Sequence, residues 1–140
     1  MSPMESSAAA ATPSAASALG PTRILLVEDE ENFRDPLALG LRRDGFEVVE
    51  AEDAFAALET AASESPEIVL LDISMPGRSG LDILPELVDR MSVVMLTSLK
   101  DPTLIRRAID AGARGYLVHG QLGVNEVAGA IETCRHGGLV

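Results

Sequence analysis

The segment "IVLLDISMPGRSG", residues 68–80, decides the fold of this chain. Its first four residues are wholly aliphatic, which is typical of a strand covered on both faces, as in a parallel sheet. The strand ends in a carboxylate at Asp72, and a turn rich in Pro and Gly then leads into a helix over about residues 81–89. A buried strand that delivers an acid to its carboxyl end predicts a site at that edge of the sheet.

Similar aliphatic segments recur along the chain and alternate with helical patterns. Strands are predicted at 23–27, 46–50, 68–72, 93–98 and 115–118, and a helix is predicted after each of them. Because parallel strands need crossover connections, this alternation predicts an α/β fold, a five-stranded parallel sheet with helices on both faces.

The first two predicted helices carry specific expectations. In the first helix, Pro36 is expected in the first turn or at the true start, with Asp35 as the cap, and Gly45 is expected to end it. Asp53 is expected to cap the second helix. In the first helix, Phe33, Leu37 and Leu41 share one face at four-residue spacing, and in the second, Phe55, Leu58, Ala61 and Ala62 are expected to supply the buried side.

Polar side chains follow the aliphatic interiors of four of the strands. They are Glu28, Asp29 and Glu30 after the first strand, Asp72 in the third, Thr97 and Ser98 in the fourth, and His119 after the fifth. Taken singly, each has an ordinary explanation, such as a helix cap, a solvated acidic loop or a β-former at a strand end. Because the carboxyl ends of parallel strands share one edge, the set together predicts a functional site.

Carboxylates gathered at one edge repel one another, and a hard divalent cation relieves that repulsion. Mg²⁺ accepts a few carboxylate oxygens, keeps several waters and takes phosphate oxygens as further ligands. A carboxylate beside such an ion is a chemically reasonable nucleophile for a phosphoryl group, because aspartate forms acyl phosphates. The hydroxyl of Thr97 is placed to donate a hydrogen bond to a phosphoryl oxygen and so to report its presence.

The same residues carry a family resemblance that covers about residues 22–138. "LLVEDEE", "LLDISMPGRSG", "MLTS" and "GYLVHG" resemble the receiver domain of two-component response regulators, and more weakly the branch with helix-turn-helix transcriptional outputs. Asp72, Met75-Pro76 and Gly80 stand at that family's D-x-x-M-P-x-x-x-G spacing. The resemblance implies a flavodoxin-like (βα)5 receiver fold.

The resemblance also implies a role for each residue of the site. Asp72 matches the phosphoacceptor, and Thr97 and Tyr116 match the switch hydroxyl and the switch aromatic. The ligands implied for Mg²⁺ are Glu28, Asp29, Asp72 and the backbone carbonyl of Ser74.

His119 departs from the family pattern, which has a lysine at the end of the fifth strand. A lysine is fully charged at neutral pH, whereas an imidazole is shorter and only partly protonated. Three interpretations stay open. His119 is a weaker substitute, Lys100 or Arg78 supplies the cation, or the domain signals by partner binding without phosphorylation.

Composition limits the partners and the location. With 11 basic against 22 acidic residues and a net charge of −11, the chain is not expected to bind nucleic acid directly. No apolar run approaches the roughly 18 residues of a membrane span, so no membrane contact is expected. A single cysteine, Cys134, suits a reducing cytoplasm. Residues 1–21, rich in Ala, Ser and Pro, are expected to be a disordered tail before a receiver domain at 22–138, with no output domain in the chain.

Three function classes follow, of which a signalling receiver fits best. It would take its phosphoryl group from a sensor histidine kinase or a small phosphodonor and switch an output surface, with a homodimer through the last two helices and strand five as a family expectation. A pseudo-receiver that binds a partner or ligand without phosphorylation is favoured only by His119. A metal-dependent phosphohydrolase would usually have a second Asp two residues after its nucleophile, where this chain has Ser74, so no enzymatic activity is expected.

Overall fold

A computed structural model describes residues 22–73, 75, 79–97, 102–118 and 124–135, without the side chains of Thr97, Val124, Asn125 and Arg135. The strands in these residues are β1 (Arg23–Val27), β2 (Glu47–Ala51), β3 (Ile68–Asp72), β4 (Ser92–Thr97) and β5 (Gly115–Val118). The helices are α1 (Glu31–Arg43), α2 (Ala54–Glu64), α3 (Gly80–Leu87), α4 (Pro102–Asp110) and α5 (Val124–Arg135). The alternation predicted from the sequence is confirmed.

The strands pair in parallel in the order β2-β1-β3-β4-β5. The chain therefore moves outward in one direction from β1 to β2 and in the other from β3 to β5. The reversal falls between β1 and β3, where Val27 is in register with Leu71. A reversal of strand order opens a crevice at the carboxyl edge of the sheet, which is where parallel sheets bind their ligands.

Alternate residues of the strands enter two separate cores, one on each face of the sheet. Leu25 and Val27 pack with the buried residues of α2, α3 and α4, whereas Ile24 and Leu26 pack with those of α1 and α5. Because β1 and β3 lie inside the sheet and are covered on both faces, every position inward of their ends is aliphatic.

The prediction for the start of α1 was wrong. The helix begins at Glu31, and the carbonyl of Glu30 accepts hydrogen bonds from the backbone N–H groups of Phe33 and Arg34 at 3.0 and 2.8 Å. Pro36 is thus the sixth residue of the helix and is exposed to solvent. The missing proline N–H removes one hydrogen bond, but the helix continues through it because residues before and after it, Arg34, Ala38 and Leu41, are buried against the rest of the molecule.

The predicted buried side of α2 was also partly wrong. Phe55 is 72% exposed and Ala62 also faces solvent, and in α1 Phe33, which shares a predicted face with Leu37 and Leu41, is 46% exposed. The buried residues are Arg34, Ala38 and Leu41 in α1 and Ala54, Ala57 and Ala61 in α2. The Asp53 carboxylate, which accepts from the Ala56 N–H at 2.8 Å as predicted, fixes where α2 begins and turns the alanine stripe toward the sheet.

Candidate functional site

Three carboxylates converge at the crevice between β1 and β3. Glu28 and Asp29 follow β1, and Asp72 ends β3, so the register of the two strands places them side by side. One carboxylate oxygen from each lies within 4.8 Å of the others. Glu28 and Asp72 are buried and Asp29 is partly exposed. The acids that the sequence predicted as metal ligands therefore do meet.

The backbone of Glu28 is held from two sides. Its N–H donates to the carbonyl of Ala51 in β2 at 3.0 Å, and its carbonyl accepts from the Arg34 guanidinium at 2.8 Å. One of its carboxylate oxygens accepts the N–H of Glu30 at 3.2 Å. These contacts fix the direction in which the chain leaves β1 and presents its two acids.

The described part of the turn after Asp72 is also closely fitted. The Ile73 N–H donates to the carbonyl of Leu96 at 2.9 Å, which extends the β3–β4 pairing by one residue. The Ile73 carbonyl then accepts from both the Ser79 hydroxyl, at 2.9 Å, and the Gly80 N–H, at 3.0 Å. Ser79 caps α3, so the start of that helix is tied directly to the end of β3.

Gly80 is required for steric reasons. A Cβ atom at this position would lie 2.1 Å from the carbonyl oxygen of Asp72, far inside van der Waals contact. Only a residue without a side chain allows α3 to start this close to the phosphoacceptor candidate. The D-x-x-M-P-x-x-x-G spacing of the sequence thus has a direct steric cause.

The three acids suit a small, hard cation. Mg²⁺ prefers carboxylate and carbonyl oxygens at about 2.0–2.1 Å, which sets ligand oxygens about 3–4 Å apart. Oxygens within 4.8 Å of one another reach that spacing with small side-chain adjustments. The donor set contains no nitrogen or sulfur ligand among the described residues, which argues for Mg²⁺ over a softer transition metal.

The other predicted site residues are only partly described. Ser74 and His119 lie outside the described residues, as do Lys100 and Arg78, the two cations considered as substitutes for the missing lysine. The backbone of Thr97 ends β4 in register with Val118, but its side chain is not described.

Tyr116 lies on the outward side of β5 and is 37% exposed. It lines a shallow depression against α4 that is mainly apolar. The other described residues of that depression are Pro102, Ile105, Arg106 and Ile109.

Two arginines near the acids were missed by the sequence analysis. Arg34 contacts Glu28 from α1, and Arg107 of α4 lines the same cleft as Asp29. The described residues that line this cleft are Asp29, Ile73, Met75, Ser79, Leu81, Asp82, Leu104 and Arg107. No sequence signal indicated Arg34, because the predicted cap at Asp35 placed it before the helix and its contact is with a backbone carbonyl.

Comparison with known families agrees with this geometry. The model of the response regulator receiver domain matches residues 24–121, a range that contains all three acids. The chain belongs to the response regulator receiver family. Phosphorylation of an aspartate is the signalling mechanism of this family.

Relatives of this receiver include transcriptional regulators. It is 39% identical over 120 residues to the transcriptional regulatory protein PdtaR of Mycobacterium tuberculosis, an alignment that covers 84% of the receiver and 58% of PdtaR. The chain thus spans little more than half the length of that curated relative.

Solved structures confirm the fold. A CheY-like receiver domain protein from Methanospirillum hungatei superposes with a TM-score of 0.79 at 23% identity, covering 84% of this chain and 96% of that one. A response regulator from Burkholderia pseudomallei, solved with a phosphorylated aspartic acid, a calcium ion and citrate, gives a TM-score of 0.75 at 28% identity. That match covers 83% of this chain and 69% of the other. Among the described helices of this receiver, none has both the length and the apolarity needed to cross a bilayer.

Proposed function

We propose that this receiver accepts a phosphoryl group on Asp72, with Mg²⁺ bound by Glu28, Asp29, Asp72 and the backbone carbonyl of Ser74. The observation that carries the proposal is the meeting of the three carboxylates at the point where the strand order reverses. The phosphorylated aspartate in the Burkholderia pseudomallei relative supports it.

The residues of the site divide the chemistry between them. A carboxylate oxygen of Asp72 attacks the phosphorus atom of the donor, the bond to the donor's leaving group breaks, and an acyl phosphate forms. Bound Mg²⁺ supplies charge neutralisation on the phosphoryl oxygens. Glu28 and Asp29 hold that charge in place, while the packing of Gly80 against the backbone of Asp72 fixes the nucleophile.

We propose a phosphoryl donor and an output surface on the basis of the family. Receiver domains are phosphorylated by histidine kinases, and a sensor kinase or a small phosphodonor is proposed here. Thr97 and Tyr116 are proposed to pass the change to the face formed by α4, β5 and α5, which includes the apolar depression beside Tyr116. A homodimer through this face, and control of transcription by the protein that carries residues 22–138, complete the proposal.

Intact mass spectrometry tests the proposal directly. The chain is incubated with Mg²⁺ and acetyl phosphate, and the gain of one phosphoryl group is followed with time. We expect the adduct in the native chain and its loss in Asp72→Asn or when the metal is chelated. An Asp89→Asn variant, changed at an exposed acid in the turn after α3, is the matched control and should be phosphorylated normally. The absence of any Asp72-dependent adduct would contradict the proposal.

His119 favours a second candidate, a pseudo-receiver that signals by binding alone. Formation of the adduct separates the two candidates, and the lifetime of the adduct between about pH 6 and 8, the range in which an ordinary imidazole loses its charge, reports whether His119 takes part. If the ring of His119 contacts the phosphoryl group as a cation, the lifetime changes across this range and His119→Lys removes the change. A flat profile would mean that His119 takes no part, and no adduct at any pH would favour the pseudo-receiver.

A phosphohydrolase with the same nucleophile remains the third candidate. It requires turnover, whereas a receiver accepts one phosphoryl group per chain. Steady release of phosphate from a generic phosphate ester by the native chain, lost in Asp72→Asn, would replace the receiver proposal with this one.

A further inference from the structure

Arg34 occupies an unusual position for an arginine of an amphipathic helix. It is only 9% exposed, although arginine is rarely buried unless its charge is paired. Its guanidinium makes two close contacts in different directions. One terminal nitrogen donates to the carbonyl of Glu28 at 2.8 Å, and Nε lies 3.3 Å from a carboxylate oxygen of Glu50 in β2.

The contact with Glu28 falls on the peptide group that joins Glu28 to Asp29. The orientation of this peptide is set by ψ of Glu28 and φ of Asp29, and a change in either dihedral that the other does not compensate would turn the Asp29 side chain relative to that of Glu28. The N–H of Glu28 is fixed separately by Ala51 at 3.0 Å. Arg34 therefore fixes the orientation of the peptide that joins two of the three acids.

Glu50, which anchors the guanidinium of Arg34, is itself held in place. The second carboxylate oxygen of Glu50 lies 3.1 Å from the guanidinium of Arg42, which also donates to the carbonyl of Val48 at 2.8 Å. Charges of alternating sign thus run from the acid segment along α1 to the edge strand β2. Because Arg34 contacts both Glu28 and the fixed side chain of Glu50, its guanidinium keeps its own position. A group must keep its position if it is to orient a neighbouring group.

We infer that Arg34 is a positioning residue for the metal site, which orients Glu28 and Asp29 through the peptide between them. The inference rests on the proposed function, since it concerns the same Mg²⁺ site. Groups that orient metal ligands without touching the ion commonly change metal affinity by about 10–100-fold when removed.

The sign of the effect separates positioning from plain electrostatics. A positive charge beside a cation site repels the cation, so a purely electrostatic role predicts tighter Mg²⁺ binding when the charge is removed. A positioning role predicts weaker binding. Arg34→Lys keeps the charge but has a single nitrogen in place of the planar fork, so it cannot contact Glu28 and Glu50 in the same geometry.

Titration calorimetry with Mg²⁺ alone tests the inference, and it suits a chain that has no tryptophan to report binding by fluorescence. We expect Arg34→Met to weaken Mg²⁺ binding by about 10-fold or more and Arg34→Lys to give an intermediate loss. Arg43→Met, the same change at an exposed arginine of α1, should bind as the native chain does. Circular dichroism of each variant shows whether the fold is kept.

Two further results decide the remaining cases. If Arg34→Met does not fold, Arg34→Lys decides the case. It keeps the charge, so a purely electrostatic role predicts unchanged Mg²⁺ affinity, whereas we expect a several-fold weakening. Affinity equal to or tighter than that of the native chain, in folded Arg34→Met or, where that variant does not fold, in Arg34→Lys, would overturn the inference and leave the proposed function standing. A native chain that does not bind Mg²⁺ would overturn the proposed function, and the inference with it.

Discussion

Gly80 shows how a residue without a side chain lets two backbone segments pack closely beside the proposed phosphoacceptor. The start of α3 and the end of β3 approach so closely that a methyl group would lie 2.1 Å from the Asp72 carbonyl oxygen. Backbone on both sides is hydrogen-bonded, so neither segment moves aside without breaking contacts.

We expect Gly80→Ala to lower the free energy of unfolding by about 2 kcal/mol or more, as overpacking in a fitted region does. Mg²⁺ affinity should fall as well, because Asp72 shifts with its backbone. Chemical denaturation and calorimetry measure the two effects.

Gly129 is the control for this substitution. It is an exposed position of α5 where an added Cβ meets nothing within 4 Å, so Gly129→Ala should raise the free energy of unfolding by about 0.5–1 kcal/mol. Equal effects of the two substitutions would contradict the steric explanation.

Asp29 permits a test of charge repulsion in the metal-free site. Its carboxylate meets two buried acids within 4.8 Å, so Asp29→Asn should stabilise the metal-free chain while weakening its response to Mg²⁺. Thermal unfolding with and without Mg²⁺ measures both, because an ion that binds only the folded state raises the unfolding temperature. A full Mg²⁺ response in Asp29→Asn would show that Asp29 is not a ligand.

The meeting of the three acids could be predicted from the sequence, but the residues that support them could not. Glu28 and Asp29 follow one aliphatic strand and Asp72 ends another, and the parallel topology brings their carboxyl ends together. Arg34 could not be predicted, because its role depends on a contact with a backbone carbonyl, which leaves no pattern in the side chains of the sequence.

At the scale of elements, α2 shows how a helix ends without glycine. Its C-cap residue Ser65 has φ of 47°, in the left-handed region that residues with a Cβ adopt only at an energetic cost. Gly45 and Gly112, which have φ of 97° and 110°, end α1 and α4 without that cost.

We expect Ser65→Gly to raise the free energy of unfolding by about 0.5–1 kcal/mol, since the native backbone there suits glycine. Ser63→Gly, the same change two residues earlier inside α2, should lower it by a few tenths to 1 kcal/mol, roughly the helix-propensity difference. Urea denaturation of the two variants gives the comparison. A loss of stability in Ser65→Gly would contradict the assigned left-handed strain.

The presence of each strand and helix could be predicted from the sequence, but the face of each helix that is buried was harder to predict. The strands were recognised because β1 and β3 are aliphatic throughout their interiors. Burial of Phe55 was wrongly predicted because its size suggested a core position, while the cap at Asp53 and the small alanines of α2 set the actual face. The cap of a helix and its packing distance from the sheet decide which face of the helix is buried. The types of its apolar residues alone indicate neither the cap nor the distance.

For the whole molecule, the sheet separates two cores that have different compositions. The core beneath α1 and α5 contains Cys134, which is buried in the same hydrophobic cluster as Ile131. Burial raises the pKa of the Cys134 thiol, an effect that the charge of Arg114 partly offsets.

Cys134 should therefore report on the docking of α5. The reactive form is the thiolate, and a raised pKa reduces its fraction at any given pH, so alkylation by iodoacetamide at about pH 8 should be slow in the folded chain. In denaturant the pKa returns to its ordinary value and labelling should become fast. The labelling midpoint should coincide with that of circular dichroism. Rapid labelling without denaturant would show that α5 opens independently.

The two ends of the sheet differ in the residues that they carry, and this difference identifies a place where a segment can be inserted away from the proposed site. The three acids of the site lie at the carboxyl ends of β1 and β3, whereas the turn between α1 and β2 lies at the amino ends of the strands, with Gly45 exposed and open space around it. Doubling the length of a surface connection costs only about 0.6 kcal/mol. A peptide epitope or a small reporter grafted after Gly45 should leave Mg²⁺ binding intact, and this receiver would then carry its own label on the side away from its chemistry.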